Sequence, residues 1–176
     1  MATVALGMGL LAACGGQATA TPPSTTTATT TAGPVRPKII NLVGKSPCGL
    51  IPQSDVTRFE WDKAPKAEAE STLQSPLCSY DANWGLGSIA LDDHDGISEW
   101  THGKYGNGTT RPTDPVLGFQ AIDALSPDSH ICDVVVDVAP GQALDAYIEI
   151  DGVSPVSDPC TFAHQWAEAA MSTLLS

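Results

Sequence analysis

The stretch "HICDVVVDVAPGQALDAYIEID", residues 130 to 151, leaves this chain few ways to fold. Cys132, Val134, Val136 and Val138 fall on one face, with Asp133 and Asp137 on the other. Beyond Pro140-Gly141, Leu144, Ala146, Ile148 and Ile150 share a face, while Asp145, Tyr147 and Glu149 point away. Alternation with a period of two on both sides of a Pro-Gly turn predicts an antiparallel hairpin. Such a hairpin has one face to cover and one to leave wet. The cover is predicted at the C-terminus. Asp158 is placed as the helix cap, Pro159 as the first helical residue, and "FAHQWAEAAMSTLL" follows. Phe162, Trp166, Ala170 and Leu174 line one stripe of that helix, with Ala163, Ala167 and Met171 beside it.

Upstream, Ser54 as a cap, Asp55 in the first turn, and Val56 and Phe59 three apart predict a short helix. In "CSYDANW", Cys78, Tyr80, Ala82 and Trp84 alternate with Ser79, Asp81 and Asn83, a half-buried strand. Trp84-Gly85-Leu86-Gly87 then predicts a turn into a second strand over Ser88 to Leu91. The expected fold is α+β: an antiparallel sheet covered on one face by a short N-terminal helix and a C-terminal helix.

Five cysteines cannot all pair with one another. Met1 to Ala13 is uncharged and apolar. It is too short to span a bilayer, which takes about 20 residues, and reads as the apolar core of an export signal. Leu11-Ala12-Ala13-Cys14 resembles a bacterial lipobox, in which a diacylglycerol is attached to the cysteine sulfur and the chain is cut just before it. No Lys or Arg precedes the apolar run, a departure from that pattern. Residues 1–13 are therefore expected as a signal peptide. Residues 14–45 form a lipidated Cys14 followed by a Thr/Ala/Pro-rich tether with little to bury. Residues 46–176 form the folded domain.

With Cys14 assigned to a lipid, Cys48, Cys78, Cys132 and Cys160 remain as an even set in an oxidising compartment. Four cysteines allow three connectivities, and spacing does not choose among them. We expect the two short-range closures, Cys48–Cys78 and Cys132–Cys160. No Cys-x-x-Cys or Cys-x-x-His spacing supports a zinc site.

From Ser46 onward the chain carries 5 basic and 20 acidic residues, a balance of −15. A surface of that sign repels phosphate backbones, so nucleic acid is not an expected partner. The densest polar cluster is "LDDHDGISEWTHGKYGNG", residues 91 to 108. Asp93, Glu99, Trp100, His102 and Tyr105 are the candidate binding residues, since polar aromatic loops on a rigid scaffold often carry function. The calcium-loop pattern fails there. With Gly96 at loop position six, Leu91 falls at position one and His102 at position twelve. No metal or cofactor is expected. Gly-x-Ser-x-Gly, His-Glu-x-x-His and Ser-x-x-Lys are all missing from the sequence, and no catalytic residue is assigned.

The four domain cysteines with their flanks resemble an actinobacterial family of envelope lipoproteins known as domain of unknown function 3558. The matching pieces are Cys48-Gly49-Leu50-Ile51, Cys78-Ser79-Tyr80, Gly118-Phe119-Gln120-Ala121, Cys132-Asp133-Val134-Val135-Val136 and Asp158-Pro159-Cys160 with Ala163. The resemblance implies a secreted, membrane-tethered α+β domain and supplies no activity. The expected function is binding without catalysis, of a small ligand or an envelope protein, on the outer face of the membrane. An envelope hydrolase using an acidic pair such as Asp93 and Glu99, and a purely structural envelope protein, are the alternatives.

Overall fold

The computed structural model describes residues 36–105, 109–151 and 157–176. Cys14 and the expected signal peptide lie outside the described residues. Seven strands form one sheet: β1 (Lys66–Glu70), β2 (Ser75–Ala82), β3 (Gly85–Asp92), β4 (Thr109–Pro112), β5 (Ala121–Leu125), β6 (Ile131–Ala139) and β7 (Gln142–Ile150). Their order across the sheet is β1-β2-β3-β7-β6-β5-β4, and every neighbouring pair is antiparallel. The β6–β7 hairpin turns at Pro140-Gly141, where Gly141 takes φ 70°, a left-handed conformation that glycine adopts without steric cost.

One face of the sheet is closed by α3 (Pro159–Leu175), packed against β6 and β7. Its start is built as the sequence predicts. The Asp158 carboxylate accepts from the Cys160 amide at 3.1 Å and Pro159 holds the first turn. A 3-10 turn (Pro47–Gly49) and α1 (Gln53–Arg58) complete this layer. Helix α1 starts after Pro52 with no side-chain cap, rather than at Ser54. Cys78, Tyr80, Ile89, Val134, Val136, Leu144, Ala146 and Ile148 face this layer and are fully or almost fully buried. Six aromatic rings lock it. Phe59 meets Phe162 at 4.6 Å, Trp61 meets Trp84 at 4.5 Å, and Tyr80 meets Trp166 edge-on at 4.9 Å. Gly87 makes room for this cluster: a Cβ there would lie 2.6 Å from the Trp61 ring.

Cys48–Cys78 and Cys132–Cys160 are the two disulfides. The first ties the 3-10 turn to β2 and the second ties the start of α3 to β6. Among the described residues, no helix is long and apolar enough to cross a membrane.

Two expectations need correction. The packed fold begins before residue 46. Ile40 and Leu42 are buried in the core, and their amides bond to the Val138 carbonyl (3.0 Å) and the Gln142 side chain (2.8 Å). The second face of the sheet is also less wet than its alternation suggests. Asp133, Asp137 and Asp145 are all buried. The cover comes from the β1–β2 connection and from α2 (Ile97–Thr101) with the residues behind it, where Leu73, Trp100 and Tyr105 pack on Ala90, Ile122, Val135 and Ala143.

Candidate functional site

The second face is only partly roofed, and the gap is a cleft of about 580 Å³. Register places its floor in two rows. Lys66, Ser79, Ser88, Tyr147 and Asp133 run across β1, β2, β3, β7 and β6 in one row. Glu68, Leu77, Ala90, Asp145 and Val135 form the next. Asp133 and Asp145 are thus diagonal neighbours on the two central strands of the hairpin, both facing the cleft. Leu73, Trp100 and Tyr105 form the apolar wall at the end beside Asp145, and Glu68, Glu70 and Asp81 line the β1–β2 side.

The two aspartates set the electrostatics. Each is only 5% exposed. Burial lifts Asp133 from 3.8 to about 7. Asp145 is also held well above the ordinary carboxylate range, first by burial and then by the charges of Asp133, Glu70 and Asp92. Its Oδ1 has no hydrogen-bond partner among the described residues. Tyr147, in the row of Asp133, donates its hydroxyl to Glu149 at 2.7 Å, and burial and then that bond raise it above the ordinary phenol range. Burial thus shifts both floor carboxyls toward the protonated form.

The loop that the sequence singled out is split by the structure. Trp100 and Tyr105 pack together with ring centroids 5.6 Å apart and line the cleft. Asp93, Glu99 and His102 do not line it. Asp93 engages His94 Nδ1 at 2.8 Å, and His102 Nδ1 donates to the Ser98 carbonyl at 2.6 Å. Asp92, Asp95 and His94 bring carboxylate and imidazole atoms as close together as a cation site would, but most of those atoms are already engaged, Asp92 Oδ2 being buried without a partner among the described residues. Asp92 Oδ1 accepts from the His94 and Asp95 amides, and Asp95 Oδ2 accepts from Lys104 and Tyr105. His94 Nε2 donates to the Leu73 carbonyl at 2.8 Å while Nδ1 faces Asp93, whose hydrogen bond raises the histidine's pKa. An imidazole that donates from both nitrogens has no lone pair for a metal. This trio instead ties α2's loop to the β1–β2 connection and so holds up the roof of the cleft.

Sequence reasoning missed Asp133, Asp145, Tyr147, Ser79 and Ser88 as site residues. A signal was present: aspartate is depleted in strand interiors, and "CDVVVD" places two and "ALDAY" one inside strands whose other face is largely apolar.

These features define a disulfide-bonded α+β domain with an acid-floored cleft on the sheet face opposite its helix. The chain belongs to the family described as protein of unknown function (DUF3558), whose model matches residues 9–173. No curated protein and no solved structure matches it.

Proposed function

We propose that this is a lipid-anchored extracytoplasmic binding module of the cell envelope, and that its ligand enters the cleft between the β1–β2 connection and α2. The observation that carries the binding half is Asp145: a buried carboxyl with a free oxygen, at the bottom of an open cleft of a size usual for small-molecule sites. Folding leaves this carboxyl under-satisfied, and a ligand's donor on its cleft-facing side offsets part of that cost. The anchoring half rests on the Leu-Ala-Ala-Cys14 site and the tether behind it, together with two disulfides of the kind that persist outside the cytoplasm.

An envelope hydrolase is the second reading, because two carboxyls with raised pKa values in one cleft are what acid-base chemistry requires. The pair is Asp133 and Asp145, not Asp93 and Glu99. Both project from one sheet face and approach a ligand from the same side, whereas glycoside hydrolysis places its two carboxyls on either side of the scissile bond. No hydrogen bond joins them among the described residues, as it would in a dyad sharing one proton. Both points favour binding.

Two measurements test the proposal. Cys14→Ser is expected to move the protein from the membrane fraction to the soluble one, or to leave it as unprocessed precursor. A variant that still partitions into detergent and is cut like the wild type refutes the anchor. Amide shift mapping with a panel of envelope-derived small molecules is expected to move Ser79, Ser88, Asp133, Asp145 and Tyr147 together. Saturable shifts confined to the α3 face, or turnover of a panel member that is lost in Asp133→Asn, would overturn binding at the cleft without catalysis.

A further inference from the structure

Taking the cleft as the binding site, we propose that its ligand is a small organic cation, an ammonium or guanidinium on an apolar body, seated with its charge against Asp133 and Asp145. Three observations converge on that class. The cleft is lined by five carboxyl groups, Glu68, Glu70, Asp81, Asp133 and Asp145, against the single cation Lys66. Lys66 is already shared with Asp81 at 3.8 Å. Glu68, Glu70 and Asp81 stand outside the proton-holding pair, and a wall of one sign of charge concentrates ligands of the other. The Asp145 carboxyl, on a residue 95% removed from solvent and with Oδ1 unpartnered, lines the cleft, and a charged donor makes the stronger bond to it. Beside it the floor turns apolar through Leu77 and Ala90 and rises into Leu73, Trp100 and Tyr105, which suits a hydrocarbon or aromatic body.

A bare metal ion fits less well. Among the described residues, no third carboxylate or imidazole atom joins Asp133 and Asp145 in a cluster of ligating groups, and a hard cation takes six to eight oxygens. The volume is that of an organic molecule.

The chemistry of entry is specific. Burial and the facing charges of Glu70 and Asp92 favour the protonated acid at Asp145. A bound cation reverses that preference, so a carboxyl gives up its proton to solvent as the ion pair forms. Glu68, Asp81, Lys66 and Tyr147, the other charged or titratable groups on this floor, stay in place around it. A neutral ligand releases nothing.

The test is calorimetric titration of the full-length protein at neutral pH with phenethylamine and with its neutral isostere 2-phenylethanol, each in phosphate and in Tris. The amine is expected to bind with an apparent heat that differs between the buffers, showing proton release. The alcohol is expected to bind at least about tenfold more weakly. Asp145→Asn exchanges an uncharged acid for an amide of the same shape and is expected to fold normally. It should weaken the amine at least about tenfold, and Asp133→Asn provides a second variant of the same kind. Equal affinity for amine and alcohol, amine binding without proton release, or no amine binding at millimolar concentration overturns the cation. If the alcohol binds and Asp145→Asn abolishes it, the cleft remains the site and only the charge assignment falls. If the amine binds and neither variant alters it, the cleft itself is the wrong site.

Discussion

Replacing both Asp133 and Asp145 with asparagine is expected to make the domain more stable at about pH 8, by several kcal/mol. Burial raises both groups, Asp133 to about 7 and Asp145 also well above the ordinary 3.8. The folded protein therefore keeps protons that the unfolded chain has released. The stability held by these groups is complete below about pH 4, falls as pH rises, and for Asp133 is lost by about pH 7. A displacement of about three pH units corresponds to roughly 4 kcal/mol for Asp133 alone, and Asp145, raised in the same direction, adds to the loss. Asp95 shifts the other way, held down by Lys104 and then Tyr105, and contributes stability that acid removes. It is present in wild type and variant alike and cancels in their difference. Guanidinium unfolding across pH should show the two curves converging in acid and separating by neutrality. Curves that stay parallel would mean that the two carboxyls are ordinary solvated ones.

Breaking the disulfides should have an effect of similar size and opposite sign. Cys132–Cys160 spans 28 residues and Cys48–Cys78 spans 30. Each closure is expected to stabilise the fold by about 3 to 4 kcal/mol through the unfolded chain. Together they approach the whole stability of a typical domain, about 5 to 15 kcal/mol. Cys132→Ala with Cys160→Ala should lower the urea midpoint sharply, and reduction of both bonds should leave the chain largely unfolded. Cys78 and Cys132 are fully buried, so the reductant must act through opening of the fold. An unchanged midpoint under full reduction would contradict the role given to these bonds.

The hairpin over β6 and β7 and the capped α3 were legible because each is a local signal, alternation or a cap with its proline. The two disulfide pairings were expected as the short closures, though spacing did not choose them. The edge strands were not legible. β1 is "KAEAE" and β4 is "TTRP", with nothing large and apolar to mark an inner face, and pairing with their neighbours alone makes them strands. Ile40 and Leu42 were hidden in a different way. They anchor the chain across the sheet end without any periodicity around them.

The cleft was half legible. Its floor is visible as the polar face of the hairpin, and Trp100 and Tyr105 of its wall were singled out. Alternation reports which side chains share a face, not whether something distant in sequence covers that face. The roof comes from residues 71–74 and from α2 with its loop, joined by the His94–Leu73 bond. That roof turns three aspartates expected in water into buried groups. Asp137 then finds Arg36 at 2.8 Å, while Asp133 and Asp145 face the cleft.

The central claim is that the sheet carries a dry acid pair beneath an open cleft, and carboxyl-carbon NMR reads it directly. A titration of the labelled full-length protein is expected to show Asp133 changing protonation near 7 and Asp145 well above the ordinary carboxylate range. Midpoints for both aspartates close to 4 would contradict the claim. They would mean that water reaches the floor freely and that the cleft holds no site prepared for a ligand.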